Sequence, residues 1–139
     1  TPLTARGLSA AARGLSRELD RVHRAFPDKP VVIGEFGAPA FPVRGGVFGG
    51  ERFQAELFRT QLRVIGSKPW LSGCAAWCHA DQRIGSYRRY PVGYLGSTQL
   101  EVFGLRDARG RRRPAYGVVA GFYGKKGRMN PSPWQSSSS

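Results

Sequence analysis

The stretch Lys29-Pro30-Val31-Val32-Ile33-Gly34-Glu35-Phe36-Gly37-Ala38 decides the fold of this chain. A short apolar run rich in β-branched residues and bounded by proline and glycine predicts a buried strand over 31–37 rather than a helix. The run carries one carboxylate, Glu35, close to its end. Desolvating a carboxylate beside valine and isoleucine side chains costs free energy unless the group is paired or used in chemistry. Glu35 is therefore the first candidate for a functional residue, and an ion pair with an arginine or a helix cap is its alternative role.

Further helices and a second strand surround this first strand. Helices are predicted over 8–26, 51–65 and roughly 114–123, and a second buried strand over 70–77. The first two helices repeat apolar residues at spacings of three and four, and Pro114 suits the first position of the third. Strands that alternate with helices favour parallel pairing through right-handed crossovers. The fold class is therefore α/β, with both strands in one parallel sheet.

The length of 139 residues is short for such a sheet. Two parallel strands are not stable alone, because parallel sheets are covered on both faces and need neighbouring strands. A complete (β/α)8 barrel takes about 250 residues. We therefore expect residues 1–124 to belong to a larger α/β domain. The basic, serine-rich residues 125–139 are expected to form a disordered tail.

The chain is strongly basic, with 22 lysines and arginines, 9 acidic residues and a net charge of +13. Dense clusters occur at 109–113 and 125–128, but most of the charge is spread along the sequence. Solvated surfaces explain such a distribution, and binding of a polyanion is the alternative. Spread charge disfavours a nucleic-acid partner. No apolar run reaches the roughly 18 residues of a membrane helix, so no membrane partner is expected.

Cysteine and histidine are too few for a zinc site, since the chain has only Cys74, Cys78, His23 and His79. Structural zinc sites take four such ligands at close spacing. We interpret both cysteines as small core residues, and we predict neither a metal nor a cofactor. The sequence indicates neither the compartment nor the oligomeric state.

The second predicted strand ends in Trp77-Cys78-His79-Ala80-Asp81. Parallel strands deliver the residues at their carboxyl ends to the same edge, so this segment is expected beside Glu35. Trp77 offers a flat apolar surface on which a sugar ring can stack, or it fills the core. His79 and Asp81 can hydrogen-bond sugar hydroxyls, or they organise the loop that follows the strand.

Four segments, in order along the chain, resemble glycoside hydrolase family 2, the β-galactosidase, β-glucuronidase and β-mannosidase group. Residues 29–38 resemble its KP-(apolar)3-x-E-(Y/F)-G-A segment. The stretch from Phe53 through Leu62 to Ile65 is similar to its (Y/F)Q-x-x-L-(x)n-Q helix. Residues 73–81 are similar to its strand with an active-site tryptophan, and 104–116 resemble the segment that leads into its final helix. The resemblance covers roughly residues 28–123.

This resemblance implies a partial TIM (β/α)8 barrel, made of strands seven and eight with the preceding helix. Residues 1–124 would be the C-terminal portion of the catalytic domain of a retaining β-glycosidase, an enzyme of carbohydrate metabolism that hydrolyses O-glycosidic bonds. Glu35 takes the position of the nucleophile. Trp77, His79 and Asp81 are the candidate substrate-binding residues, and the expected partner is a carbohydrate substrate.

The acid/base carboxylate of such an enzyme is missing from this chain. In the family it is a glutamate that follows an asparagine at the end of strand four, whereas the one asparagine here is Asn130. The economical explanation is that the first six strands lie upstream. We therefore expect the isolated segment to be inactive and poorly stable, because a truncated barrel exposes apolar strand edges.

The region 82–103 differs from the family examples. It contains three arginines and three tyrosines, Arg83, Arg88, Arg89, Tyr87, Tyr90 and Tyr94. Guanidinium groups pair well with carboxylates, so one hypothesis is that this loop shapes a subsite for a uronic acid. The alternative is a solvated surface loop.

Three other functions stay open. The first is an endo-glycosidase of another family in the same barrel clan, resembling cellulases or mannanases. The second is a degenerate barrel module that binds sugar without cleaving it. The third is a basic module that binds polyanions through 109–113 and 125–128, which would give no reason for a glutamate at the end of a buried strand.

Overall fold

The computed structural model describes residues 2–41, 49–83 and 100–129 of the chain. Its main elements, in chain order, are α1 (Pro2–Ala25), β1 (Val31–Phe36), α2 (Glu51–Gly66) and β2 (Leu71–Ala76). Two short strands, β3 (Gln82–Arg83) and β4 (Leu100–Glu101), precede α3 (Pro114–Met129). The chain is thus an α/β segment with three helices and a parallel pair of strands, as the sequence predicted. None of the described helices is both long and apolar enough to cross a membrane.

Strands β1 and β2 are parallel neighbours, and Phe36 lies opposite Ala76 near their carboxyl ends. The backbone N–H of Trp77 donates to the carbonyl oxygen of Phe36 at 2.8 Å, which extends the pairing one residue further. This register confirms the prediction of adjacent parallel strands. It brings the residues that follow both strands to the same edge of the sheet.

The first strand is less buried than its apolar sequence predicts. Val32 is 63% exposed, and Gly34 and Glu35 are also exposed. The cause is geometric: helix α2 covers the face that carries Phe36, and no third strand extends this sheet among the described residues. The desolvation argument that first singled out Glu35 therefore does not apply to the carboxylate as it stands in this chain.

The core lies between the parallel strands and helices α2 and α3. Its fully or nearly buried members are Phe36, Ala55, Phe58, Leu62, Ile65, Leu105, Ala115 and Val119. Phe58 is the central residue, at 0% exposure, and its ring meets that of Phe36 edge-on at 5.5 Å. Burying one such side chain stabilises a fold by about 1.5–3 kcal/mol. This core sets the distance between α2 and the carboxyl end of β1.

Helix α1 docks at the opposite end of the sheet. The ammonium of Lys68 pairs with both carboxylate oxygens of Asp20 at 2.7 and 2.8 Å, and the ring of His23 stacks on Trp70 at 4.3 Å. The helix begins six residues before the predicted start, because Pro2 is tolerated in a first turn. Phe26, the last residue of the predicted helix, lies beyond its observed end and is 59% exposed.

Helix α3 begins at Pro114 as predicted but continues to Met129 rather than ending near 123. Gly124 is helical and does not terminate it. The helix therefore extends into the segment that the sequence assigns to a disordered tail. Residues 130–139 lie outside the described residues, so that part of the tail stays a prediction.

The region between β2 and α3 has more structure than the sequence indicated. Strands β3 and β4 pair antiparallel, with Gln82 opposite Glu101 and Arg83 opposite Leu100. Residues 84–99, which separate the two strands in the sequence, lie outside the described residues. The chain then returns through 102–105 to the ends of β1 and β2.

Candidate active site

Glu35 is the next-to-last residue of β1, and it is exposed to solvent. Within the described residues, its carboxylate has no ion pair and no hydrogen bond. The two alternative roles considered from the sequence, an arginine pair and a helix cap, therefore find no partner in this part of the chain. The geometry leaves the carboxylate available to a ligand.

Glu35 and Trp77 line one open cleft with a volume of about 220 Å³, together with Phe36, Gly37 and Phe103. Trp77 is 37% exposed, so part of its surface faces solvent. The sequence predicted that Trp77 lies beside Glu35. An aromatic surface next to a carboxylate can hold the apolar face of a ligand while the carboxylate contacts a polar or reacting atom.

Gly37 allows the two strand ends to approach each other. Its φ is +150°, and a Cβ at this position would stand 2.6 Å from the carbonyl oxygen of Trp77 and 2.9 Å from Cζ of Phe58. Both distances are too short for a real side chain. A glycine is therefore needed for the backbone after β1 to lie against Trp77.

Cys78 follows Trp77 through a cis peptide bond and is buried. Its thiol donates to the carbonyl oxygen of Ala80 at 3.1 Å. Burial raises the pKa of the Cys78 thiol above its ordinary value, so the neutral form is favoured. Cys78 is thus a core residue, as predicted.

Asp81 is held by protein donors. Its two carboxylate oxygens accept from the guanidinium of Arg113 at 2.6 and 2.7 Å, and one of them also accepts the N–H of Gly104 at 3.0 Å. The side chains of Asp81 and Arg113 are 2% and 5% exposed. Of the two roles that the sequence left open for Asp81, these contacts favour the organisation of the loop.

His79 is exposed but does not line the cleft of Glu35. Its ring meets Tyr116 edge-on at 6.4 Å, and the guanidinium groups of Arg106 and Arg112 lie over the same tyrosine ring at 5.1 and 4.6 Å. The structure therefore brings together Glu35 and Trp77 and sets His79 apart from them. Among the described residues, no three His, Cys, Asp or Glu side chains are grouped as metal ligands would be.

The segment 102–105 joins the ends of the two parallel strands. Val102 accepts the N–H of Ala40 at 2.7 Å, and Phe103 accepts the N–H of Cys78 at 3.3 Å. The N–H of Leu105 donates back to Cys78 at 2.9 Å. Backbone hydrogen bonds thereby fix Phe103 between the two loops, where it lines the third side of the cleft. Sequence reasoning missed Phe103, since nothing local signals a contact with residues so distant in the chain.

Gln54 was also missed as a site residue. Gln54 follows Phe53 at the start of the segment that resembles the (Y/F)Q-x-x-L-(x)n-Q helix, and the sequence assigned no role to it. Its side chain is 0% exposed, and its Nε2 contacts the carbonyl oxygens of Ala38 and Phe103 at 3.0 and 3.2 Å. A buried amide in an amphipathic helix is the signal that could have drawn attention to it.

The arginine-rich segment before α3 is used inside the molecule. Arg111 pairs with Glu51 at the start of α2 and, at 2.9 Å, with Asp107. Arg113 pairs with Asp81 and lies 3.4 Å from Glu51. The hydrogen bond from Arg111 lowers the pKa of Glu51 below its ordinary value. These pairs neutralise two of the arginines on which a polyanion-binding function would depend.

Comparison with known proteins gives a consistent result. No protein-family model matches the chain. Over 77 residues, it is 34% identical to a β-glucuronidase from Streptococcus agalactiae serotype V. That alignment covers 53% of this chain and 13% of the relative, so the chain spans a small part of that protein.

Solved structures show the same likeness. The chain matches a GH2 β-galacturonidase from Eisenbergiella tayi bound to glycerol, at 25% identity and a TM-score of 0.61, over 80% of this chain and 21% of that one. It also matches the fold of a β-glucuronidase from Ruminococcus gnavus, at 20% identity and a TM-score of 0.69, over 84% of this chain and 19% of that one.

Proposed function

Because this chain is related to the glycoside hydrolase family 2 enzymes, we propose that it carries the nucleophile of a retaining β-glycosidase. The observation that carries the proposal is the pairing of Glu35 with Trp77 in one cleft at the carboxyl ends of two parallel strands. Active sites of parallel α/β barrels are built at this edge. Glu35 is exposed there, with no ionic partner among the described residues to compete with a substrate.

In the proposed reaction, a carboxylate oxygen of Glu35 attacks the anomeric carbon of the sugar. The bond from that carbon to the leaving oxygen breaks, and a second carboxyl group protonates this oxygen. The same second group then removes a proton from water, which attacks the anomeric carbon and releases Glu35. Trp77 and Phe103 stack against the sugar ring and exclude water from one side of it.

Retaining enzymes hold their two carboxyl groups about 5–5.5 Å apart. Asp81 is a poor candidate for the second group, because Arg113 and the Gly104 N–H hold both of its oxygens. The acid/base group is therefore proposed to come from strand four of the barrel. On this proposal, β1 and β2 are strands seven and eight, and residues 1–124 are the C-terminal portion of the catalytic domain.

The proposed substrate is a β-linked uronic acid. The support is that the relatives are named as β-glucuronidases and a β-galacturonidase, and that the sequence between 82 and 103 contains three arginines. Arg88 and Arg89 lie outside the described residues. Comparing hydrolysis of nitrophenyl glucuronide, galacturonide and galactoside by the full-length protein tests this choice, and preference for the neutral galactoside would contradict it.

The decisive test is covalent trapping. The full-length protein that contains this chain is incubated with 2-deoxy-2-fluoro glycosides of glucuronic acid, galactose and mannose, digested, and analysed by mass spectrometry. We expect one added sugar on the peptide that contains Glu35. A label on another carboxylate would remove Glu35 from the role of nucleophile, and no label from folded protein would favour a barrel that binds sugar without cleaving it.

An endo-glycosidase of the same barrel clan would also be labelled at Glu35. Hydrolysis of oligomeric cellulose or mannan fragments, rather than nitrophenyl monosaccharides, distinguishes that function. Polyanion binding would instead appear as heparin affinity that falls steeply with salt.

A further inference from the structure

The buried Nε2 of Gln54 lies within hydrogen-bond distance of three carbonyl oxygens, one of which belongs to a residue that lines the cleft. Its Nε2 lies 3.0 Å from the oxygen of Ala38, 3.2 Å from that of Phe103 and 3.4 Å from that of Gly104. Ala38 belongs to the loop that follows Glu35, and Phe103 belongs to the segment that returns from β4. One side chain at the start of α2 thus contacts both the segment that follows Glu35 and Phe103, which lines the cleft.

Packing alone does not explain why residue 54 is a glutamine. The residue is 0% exposed, and its Oε1 has no hydrogen-bond partner within the described ranges. Burying an acceptor without a partner costs free energy. An apolar side chain of the same length would fill this space without that cost. What such a side chain could not do is donate to carbonyl groups.

The peptide group of Phe103 is held from both sides. Its carbonyl oxygen accepts from Gln54 and, at 3.3 Å, from the N–H of Cys78, the residue after Trp77. Phe103 lines the cleft with Glu35 and Trp77. A shift of this peptide group would therefore move the ring relative to both residues.

We propose that Gln54 is a positioning residue of the glycosidase site. Its amide fixes the peptide group of Phe103 so that a sugar stacked in the cleft presents its anomeric carbon to Glu35. This inference rests on the proposed function, since it takes Glu35 as the nucleophile. Displacing a reactant by about 1 Å can slow a reaction about 100-fold, so an indirect contact of this kind has a measurable effect.

The test compares Gln54→Met with Gln61→Met in the full-length protein. Methionine keeps the length of the side chain and removes the N–H donors. Gln61 is a matched control, because it lies on the same helix and its Oε1 is likewise buried without a partner in the described part of the chain. The measurement is the rate of covalent labelling of Glu35 by the fluoro glycoside that labels the wild type, with thermal unfolding measured alongside.

We expect Gln54→Met to slow labelling about 10- to 100-fold, and Gln61→Met to leave it within about twofold, at similar unfolding temperatures. In a Phe103→Leu background, Gln54→Met should add little further loss, because its route through Phe103 is already removed. If Gln54 had a merely structural role, Gln54→Met would slow labelling by the same factor in the wild-type and the Phe103→Leu backgrounds. Gln54→Leu, which likewise is uncharged and lacks the N–H donors, replaces Gln54→Met if the latter does not fold.

The outcomes separate the two proposals. Labelling of the wild type at Glu35 together with an unchanged rate in Gln54→Met, or an equal loss in both backgrounds, overturns the positioning role alone. Absence of label on wild-type Glu35 overturns the proposed function, and the positioning role with it.

Discussion

At the scale of single residues, Glu35 combines exposure, a strand end and an aromatic neighbour. Its position at the end of an apolar run was visible in the sequence, and so was the tryptophan near the end of the next strand. The sequence did not show that Glu35 is exposed, or that Phe103 completes the cleft. These features depend on which elements pack against β1. The residues next to Glu35 in the sequence do not determine that packing.

Replacing Glu35 by glutamine should abolish turnover without unfolding the protein. Glutamine keeps the shape but cannot form the glycosyl ester, so we expect kcat to fall by more than about 10⁴-fold, as for other enzymes that lose a nucleophile. Because the carboxylate has no ionic partner in the described part of the chain, the unfolding temperature should change little. Steady-state kinetics and thermal unfolding of the full-length protein measure both effects. A variant that keeps a tenth of the activity would contradict the assignment.

Replacing Gly37 by alanine should destabilise the site. The new methyl group would meet the Trp77 carbonyl oxygen at 2.6 Å, at a backbone φ that side chains rarely adopt. We expect a loss of about 1–3 kcal/mol in the free energy of unfolding, measured by urea denaturation. Gly121→Ala is the control, since α3 has open space there and alanine favours a helix; a stabilisation of up to about 1 kcal/mol is expected. Equal effects of both substitutions would contradict this reasoning.

At the scale of elements, an ion-pair network joins the start of α2, the loop after β2 and the segment before α3. Its members are Glu51, Asp81, Asp107, Arg111 and Arg113. The sequence indicated only that this segment is arginine-rich. The partner carboxylates lie up to 60 positions away, so the pairing was not predictable from local pattern.

Replacing Asp81 by asparagine should be strongly destabilising. The change leaves the guanidinium of Arg113, which is 5% exposed, without its buried counter-charge. Removing one partner of such a pair costs about 3–5 kcal/mol. Glu18→Gln, which breaks the exposed pair with Arg21, is the control and should leave the denaturation midpoint unchanged. If Asp81 bound substrate instead of organising the loop, the variant would lose affinity for sugar at normal stability.

Acid should weaken the contact between α2 and the segment before α3. The hydrogen bond from Arg111 lowers the pKa of Glu51 below its ordinary value of 4.5. The unfolded chain therefore binds this proton at a higher pH than the folded chain does. The stabilisation is present above about pH 4.5 and is lost as the pH falls through the folded-state pKa.

Unfolding free energies of wild type and Glu51→Gln between pH 3 and 7 measure this effect. We expect the difference between the two proteins to shrink as the pH falls below about 4.5. If the difference in unfolding free energy between wild type and Glu51→Gln stayed constant from pH 3 to 7, the ion pair of Glu51 would not be the origin of the pH dependence.

At the scale of the whole molecule, the parallel pair of strands is incomplete by itself. Val32 on β1 is 63% exposed, and the described sheet has only β1 and β2 in parallel. The isolated chain should therefore have no glycosidase activity and should self-associate through this exposed strand. Size-exclusion chromatography and hydrolysis of nitrophenyl glycosides test both points. A monomeric, active chain would contradict the proposal that it is part of a barrel.

The sequence by itself determined the order of the three helices and the two parallel strands, the parallel direction of that strand pair and the closeness of Glu35 to Trp77. Hydrophobic period, prolines and glycines are local signals, and parallel pairing brings successive strand ends together whatever lies between them. Only the tertiary structure decided that Phe103 completes the cleft and that Gln54 contacts the Phe103 carbonyl oxygen. It also decided that Asp81 pairs with Arg113 and that the ring of His79 meets that of Tyr116. These contacts join residues far apart in the chain, and long-range geometry and burial select them among many partners of equal chemistry.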